Sequence, residues 1–261
     1  MKKIIIVSQN FNSFCPVNIA IKQSDKIIRF ADYLKSKYPN FAEVAIICIQ
    51  EFLGGKNGKY IEELEGAFNH SFEVLTPWGF NNIEHPRSVL TVTLIRKELP
   101  YNTVRLESCL PNRICYSRVW FPETGKFLRI LNIYAVQTSV FSPDAAGWYI
   151  AKRREQQEDL WSVILKEAAE RCSDSLLIVG DMQESSKTGK HIKKLLDMGF
   201  KEKATGEFFP TVREGIFFEQ NIDHYLYNEK AWNDFYPVSM EYDGNLLDEL
   251  SDHILLAAVS A

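Results

Sequence analysis

Apolar residues fall into short runs with two different periods. Ten runs rich in Ile, Val, Leu and aromatic side chains lie near positions 4–8, 44–49, 72–76, 88–95, 114–121, 127–134, 175–180, 222–227, 236–242 and 253–259, and each predicts a β-strand. Between some of them the spacing turns helical. Ile27, Ala31, Leu34 and Tyr38 predict a first helix, with Ser24 as its N-cap and Pro39 as its stop. Ile61, Leu64 and Phe68 share one face of a second, from Tyr60 to Phe68. The longest runs from about Ile150 to Cys172, where Leu160, Ile164 and Ala168 make one stripe and Trp161, Leu165 and Ala169 the adjoining one. A fourth follows Gly189, with Ile192, Leu195 and Leu196 directed inward and Gly199 as its C-terminal stop.

Strands with helices at intervals, outside strict βα alternation, predict an α/β protein of two packed sheets covered by helices. Two β-rich runs flank Pro122-Glu123-Thr124-Gly125, which predicts an antiparallel hairpin. No GxGxxG opens a helix after the first strand, which argues against a dinucleotide-binding fold. No repeat, low-complexity tract or linker divides the 261 residues, so one domain over 1–261 is expected.

Composition adds little to fold and more to function. At 46% hydrophobic and 25% charged residues the chain reads as a soluble globule. Its apolar opening turns polar at Ser8, too early for a signal peptide, and no run reaches the ~18 residues of a membrane span, so a cytoplasmic protein is expected. Five cysteines (Cys15, Cys48, Cys109, Cys115, Cys172) form no CxxC pair and read as reduced, with Cys48 a small buried residue. A net charge of -4 lacks the basic excess of a protein that holds nucleic acid by charge alone. An acidic chain can still meet a polyanion where metal ions neutralise its carboxylates and only a local groove is basic. The clearest basic groups are Lys152-Arg153-Arg154 and Lys187, Lys190, Lys193 and Lys194, which read as solvated helix faces.

Polar residues at the ends of apolar runs carry the candidate chemistry: Asn10 after KKIIIVSQ, Glu51 after VAIICIQ, Asp181 after LLIVG, Asp223 after QNI, and Ser251-Asp252-His253 ahead of the last run. Strand ends bring such groups to the edge of a sheet, where the active sites of layered α/β proteins gather. Glu51, Asp252 and the Asn10 side-chain carbonyl are hard oxygen donors that suit Mg²⁺. Asp181 could orient or deprotonate an attacking water, and His253 could serve the phosphate or leaving group with Asp223 fixing its tautomer. His70, His85, His191 and His224 lack the spacing of a zinc site.

In order along the chain, Val7-Ser8-Gln9-Asn10-Phe11-Asn12, Ile49-Gln50-Glu51, Asn132-Ile133-Tyr134-Ala135-Val136-Gln137, Gly180-Asp181-Met182-Gln183, Ile222-Asp223-His224 and Ser251-Asp252-His253 resemble motifs of the endonuclease/exonuclease/phosphatase superfamily. The chain looks most like its exonuclease III and abasic-site endonuclease branch. The resemblance implies a four-layered sandwich of two mixed β-sheets between helices, with the site at one edge. It implies a Mg²⁺- or Mn²⁺-dependent nuclease acting on DNA or RNA. Asn10, Glu51 and Asp252 would then bind the metal, with Asn12 a second candidate asparagine. Asp181, Gln183, Tyr134, Asp223 and His253 would be catalytic. Gln183 stands where the family has asparagine; the added methylene, ~1.5 Å at most, could re-aim the amide. Phe208, Phe209, Phe217 and Phe218 lie between the Asp181 and Asp223 motifs, where aromatic side chains could meet bases or simply anchor a loop. Two other readings stand beside the nuclease: a phosphatase or phosphodiesterase of inositol phosphates, lipids or small nucleotides, and a non-catalytic nucleic-acid-binding protein on the same fold.

Overall fold

The strands Ile4–Asn10 (β1) and Val44–Leu53 (β2) are buried over almost their whole length, which a strand achieves only when both faces of its sheet are covered. The computed structural model describes residues 3–11, 22–78, 89–138, 146–185, 187–202, 222–245, 250–251 and 253–260, and of 212–214 and 217–220 the backbone alone. The other strands are Phe72–Leu75 (β3), Val89–Arg96 (β4), Tyr101–Thr103 (β5), Ile114–Phe121 (β6), Lys126–Tyr134 (β7), Leu176–Asp181 (β8), Lys201–Glu202 (β9), Val212–Glu214 (β10), Phe217–Gln220 (β11), Asp223–Tyr227 (β12), Pro237–Asp243 (β13) and Leu255–Ser260 (β14). The helices are Gln23–Lys37 (α1), Lys59–Ala67 (α2), Gly147–Glu170 (α3), Lys190–Asp197 (α4) and Glu229–Asp234 (α5).

Two six-stranded sheets form, in the orders β13-β14-β1-β2-β4-β3 and β5-β6-β7-β8-β12-β9, and β10 and β11 pair apart from both. Within the two sheets the pairs β1–β2 and β7–β8 are parallel and the rest antiparallel. Each parallel pair needs a long crossover, and α1 and α3 supply it. The expected β6–β7 hairpin is present, closing from Ile114↔Ile133 to Phe121↔Lys126.

Side-chain alternation then sorts the layers. Ile5, Val7, Ile47 and Ile49 face Ile27, Phe30 and Leu34 of α1 and Leu64 of α2. Ile4, Ile6, Ile46 and Cys48 point the other way, onto Leu128, Ile130, Leu177 and Val179 of the second sheet. Leu131, Ile133 and Ile178 pack beneath Leu160, Trp161 and Ile164 of α3 and Ile192 and Leu195 of α4. The result is the four-layered sandwich.

Several local expectations need correction. Lys22, not Ser24, precedes α1, and its side chain makes no capping bond. A tertiary contact ties that start down instead: Lys26 Nζ donates to Phe11 O at 2.8 Å. Along α3, Trp161 is buried but Leu165 is half-buried and Ala169 exposed. Glu167 turns inward in their place and accepts from the Tyr116 hydroxyl at 2.7 Å. Leu196 on α4 is likewise only half-buried. Cys48 and Cys115 are buried thiols, while Cys109 and Cys172 are exposed. Cys15, Asn12, His85, Phe208, Phe209 and Asp252, with the side chains of Phe217 and Phe218, lie outside the described residues. No helix among the described residues is long and apolar enough to cross a membrane.

Candidate active site

The carboxyl ends of β1, β2, β7 and β8 meet at one edge of the sandwich, and backbone geometry there is unusual in three places. Glu51 has φ 51°, and the β2–β4 register slips between Ile49↔Val92 and Phe52↔Leu90, so a β-bulge re-aims this side chain out of the regular alternation. Gln183 has φ 52°, in the left-handed region that costs a non-glycine residue free energy. Between them, Gly180 sits at φ 125°, where a Cβ would lie 2.2 Å from the carbonyl oxygen of Ile133. Only glycine lets β8 close on β7 at that level. Gly180→Ala is therefore expected to lower stability by roughly 3 kcal/mol or more and to displace Asp181. Urea unfolding would measure this; a midpoint equal to wild type would contradict it.

Parallel pairing sets Tyr134 beside Asp181, and antiparallel pairing sets Asp223 on its other side. The opposite sheet supplies the rest. Asn10, at the end of β1, donates through Nδ2 to Asp181 Oδ2 at 2.9 Å and to Glu51 Oε1 at 3.3 Å. His253, just ahead of β14, places Nδ1 2.8 Å from Asp223 Oδ2. Its backbone is held as well: His253 O accepts from Gln9 Nε2 at 3.1 Å, and His253 N donates to Ser251 Oγ at 3.1 Å. Seven of the eight residues singled out by sequence thus converge here, and Asp252 is the eighth, outside the described residues.

From its left-handed backbone Gln183 binds Asp181 twice. Its Nε2 donates to Asp181 Oδ2 at 2.7 Å while its own amide N–H donates to Asp181 Oδ1 at 3.0 Å. Just beyond it, the Glu184 carboxylate accepts from His191 N at 2.8 Å, and Glu184 O lies 2.7 Å from His224 Nε2. His191 stacks on Trp161 and His224 pairs with Glu202, so both imidazoles fix this loop from outside the site.

Electrostatics follow from burial. Asp181 is fully buried, and desolvation, then the Asp223 and Glu51 carboxylates, raise its pKa; His253 and the Gln183 hydrogen bond act the other way. Burial and the Glu51 charge push the Tyr134 phenol well above its usual value, opposed by Arg113. Clustered, buried carboxylates with an amide carbonyl are a hard-oxygen donor set whose mutual repulsion a divalent cation relieves, so these residues fit Mg²⁺ or Mn²⁺.

Other contributors were given no role by the sequence, although Gln50 and Asn132 stand inside two of the quoted motifs. Gln50 Nε2 donates to Ser8 Oγ at 3.1 Å and to Asn132 Oδ1 at 2.8 Å, and Asn132 Nδ2 donates to Val92 O at 2.9 Å. This polar strut ties the two sheets together immediately below the site. Arg113 covers Tyr134, with Cζ 4.0 Å from the ring centroid and Nη1 donating to the carbonyls of Tyr134 and Ala135 at 3.2 and 2.7 Å. The basic run on α3 is not uniformly solvated: Lys152 and Arg154 are exposed, whereas Arg153 is half-buried.

No family model and no curated protein matches the chain. Solved structures do. An endonuclease/exonuclease/phosphatase from Bacteroides vulgatus superposes with a TM-score of 0.69 at 14% identity, covering 100% of this chain and 99% of that one. An AP endonuclease from Archaeoglobus fulgidus gives 0.68 at 18%, covering 98% and 99%. The AP endonuclease LMAP from Leishmania major gives 0.69 at 11%, covering 99% and 88%. The chain has the endonuclease/exonuclease/phosphatase fold.

Proposed function

On that fold, we propose a Mg²⁺- or Mn²⁺-dependent phosphodiester hydrolase, a nuclease that cleaves DNA or RNA by in-line attack of water. The observation that carries the reading is the joining of Asn10 and Glu51 from one sheet to Asp181 of the other, beside a hydrogen-bonded Asp223–His253 pair that also spans the sheets. The similarity to AP endonuclease structures agrees with it.

Each residue has a task its surroundings suit. Asp181, gripped by Asn10 and Gln183, presents a fixed carboxylate to the attacking water. Asp223 accepts from Nδ1 of His253, which leaves Nε2 as the ring nitrogen that serves the phosphate or the departing oxygen. Tyr134, its ring backed by Arg113, lines the phosphate side. Asn10, through its carbonyl oxygen, and Glu51 would hold the cation, with Asp252 as a third ligand. The ion's contribution, when bound, is to neutralise charge on the phosphate oxygens.

Ligand atoms of Asp181, Asp223 and His253 also lie within 4.8 Å of one another. That trio offers a second seat; the proposal keeps the cation on the Asn10 and Glu51 side, where oxygen donors alone meet, as Mg²⁺ prefers.

The test is cleavage of end-labelled single-stranded DNA, duplex DNA, abasic-site duplex and RNA, with Mg²⁺, with Mn²⁺ and with chelator. Metal-dependent cutting of at least one polymer is expected. Hydrolysis confined to small phosphoesters would replace this reading with the phosphatase one, and binding without any hydrolysis would favour the non-catalytic one.

A further inference from the structure

Beside the site, the first turns of α3 carry features the hydrolytic chemistry does not use. Tyr149, Arg153 and Gln157 are spaced four apart and share one helix face. Gln157 Oε1 accepts from Val136 N at 2.9 Å, which pins that face two residues beyond Tyr134. One turn back, the Arg153 guanidinium is half-buried, and its Nε is sealed from water with no hydrogen-bond partner among the described residues. Burial, then the like charge of Arg113, lower its pKa, and Tyr149 and Tyr134 act the other way. At the tip, Trp148 is 70% exposed and Tyr149 42%, with their rings edge to face at 6.0 Å.

A half-buried guanidinium whose Nε lacks a hydrogen bond is costly, and an indole 70% exposed is unusual. Together they match one ligand chemistry, a phosphate with an aromatic base attached. We propose that the start of α3 is a subsite for a nucleic-acid strand whose base beside the cut is unpaired: Arg153 takes the neighbouring phosphate, and Trp148 with Tyr149 stacks on the base. A paired base keeps its faces inside the duplex, so a stacking ledge selects an unpaired one. The proposal rests on the reading of the adjacent site as one that acts on phosphodiesters.

Fluorescence anisotropy in chelator separates the two, because it measures binding with no turnover. The probes are fluorescein-labelled single-stranded DNA and a blunt duplex of the same sequence. Wild type is expected to prefer the single strand, and Trp148→Ala and Arg153→Met each to weaken that binding about tenfold, with Trp148→Phe restoring most of it. Trp148 is mostly exposed and methionine keeps the packed stem of Arg153, so both variants should fold; circular dichroism checks this. Wild-type affinity in both variants, equal loss with Trp148→Phe, preference for the duplex, or no saturable binding by wild type would each overturn the subsite. Failure of every ester to be hydrolysed in metal would sink the hydrolase reading instead, and the binding result would stand by itself.

Discussion

His253→Ala should lower kcat for phosphodiester cleavage by about 10²- to 10⁴-fold while leaving KM within a few-fold. The imidazole is nearly sealed, 5% exposed, and Asp223 Oδ2 is within hydrogen-bond distance of Nδ1. In the proposed mechanism its loss removes a group that meets developing charge rather than one that sets substrate affinity. Asp223→Asn should cost less, because the ring remains but its tautomer is no longer enforced. If the pair acts as a unit, the double variant should be scarcely worse than His253→Ala alone. Multiplicative losses in the double variant would show that the two residues act independently and would remove Asp223 from its assigned role. Urea unfolding provides the control, since either single variant strands a buried partner and costs stability without abolishing the fold.

Asp181→Asn should do two opposite things: abolish most turnover and make the metal-free protein more stable at neutral pH. Asp181 is fully buried with Asp223 paired directly beside it, and its folded pKa is raised first by desolvation and then by the neighbouring carboxylates. The sign follows from proton counting. A carboxyl whose folded pKa exceeds its unfolded value binds more protons in the native state, so stability declines as pH climbs from the unfolded pKa towards the folded one. Asparagine keeps the shape and is exempt from that decline. The gain should be at least ~1 kcal/mol, since one unit of raised pKa corresponds to about 1.4 kcal/mol. Thermal unfolding in chelator at pH 5 and pH 8 measures it. A variant less stable than wild type at both values would mean that the hydrogen bonds from Asn10 and Gln183 outweigh the repulsion.

Much of this was legible because it is encoded locally. All ten expected strands are present, since runs such as IIIV and VAIICI carry enough adjacent apolar surface to specify a strand buried on both faces. Asn10, Glu51 and Asp181, each ending an apolar run, marked the site edge. What escaped was specified by distant partners. The bulge that re-aims Glu51 depends on the register of β4, some forty residues away in sequence. Gln50 and Asn132 break the apolar pattern for a reason visible only once their strands face each other, 82 residues apart. Arg113 reads as an ordinary arginine after Pro111-Asn112 until Tyr134 is folded against it. The three-residue β5 and two-residue β9 are too short to carry any period. The six-residue α5 is set by its cap, Asn228 accepting from Ala231 N.

The Ser8–Gln50–Asn132 strut means more than a satisfied set of buried amides. In the proposed hydrolase neither sheet owns a complete set of reacting groups; each holds a part, like one blade of a pair of scissors, and the strut is the rivet. Apolar layers can slide by small steps at little cost, whereas directional bonds resist shear. Alignment of the two blades, and not cohesion of the core, is then what the proposed activity leans on most, and that activity would be lost to a small offset while the protein was still folded.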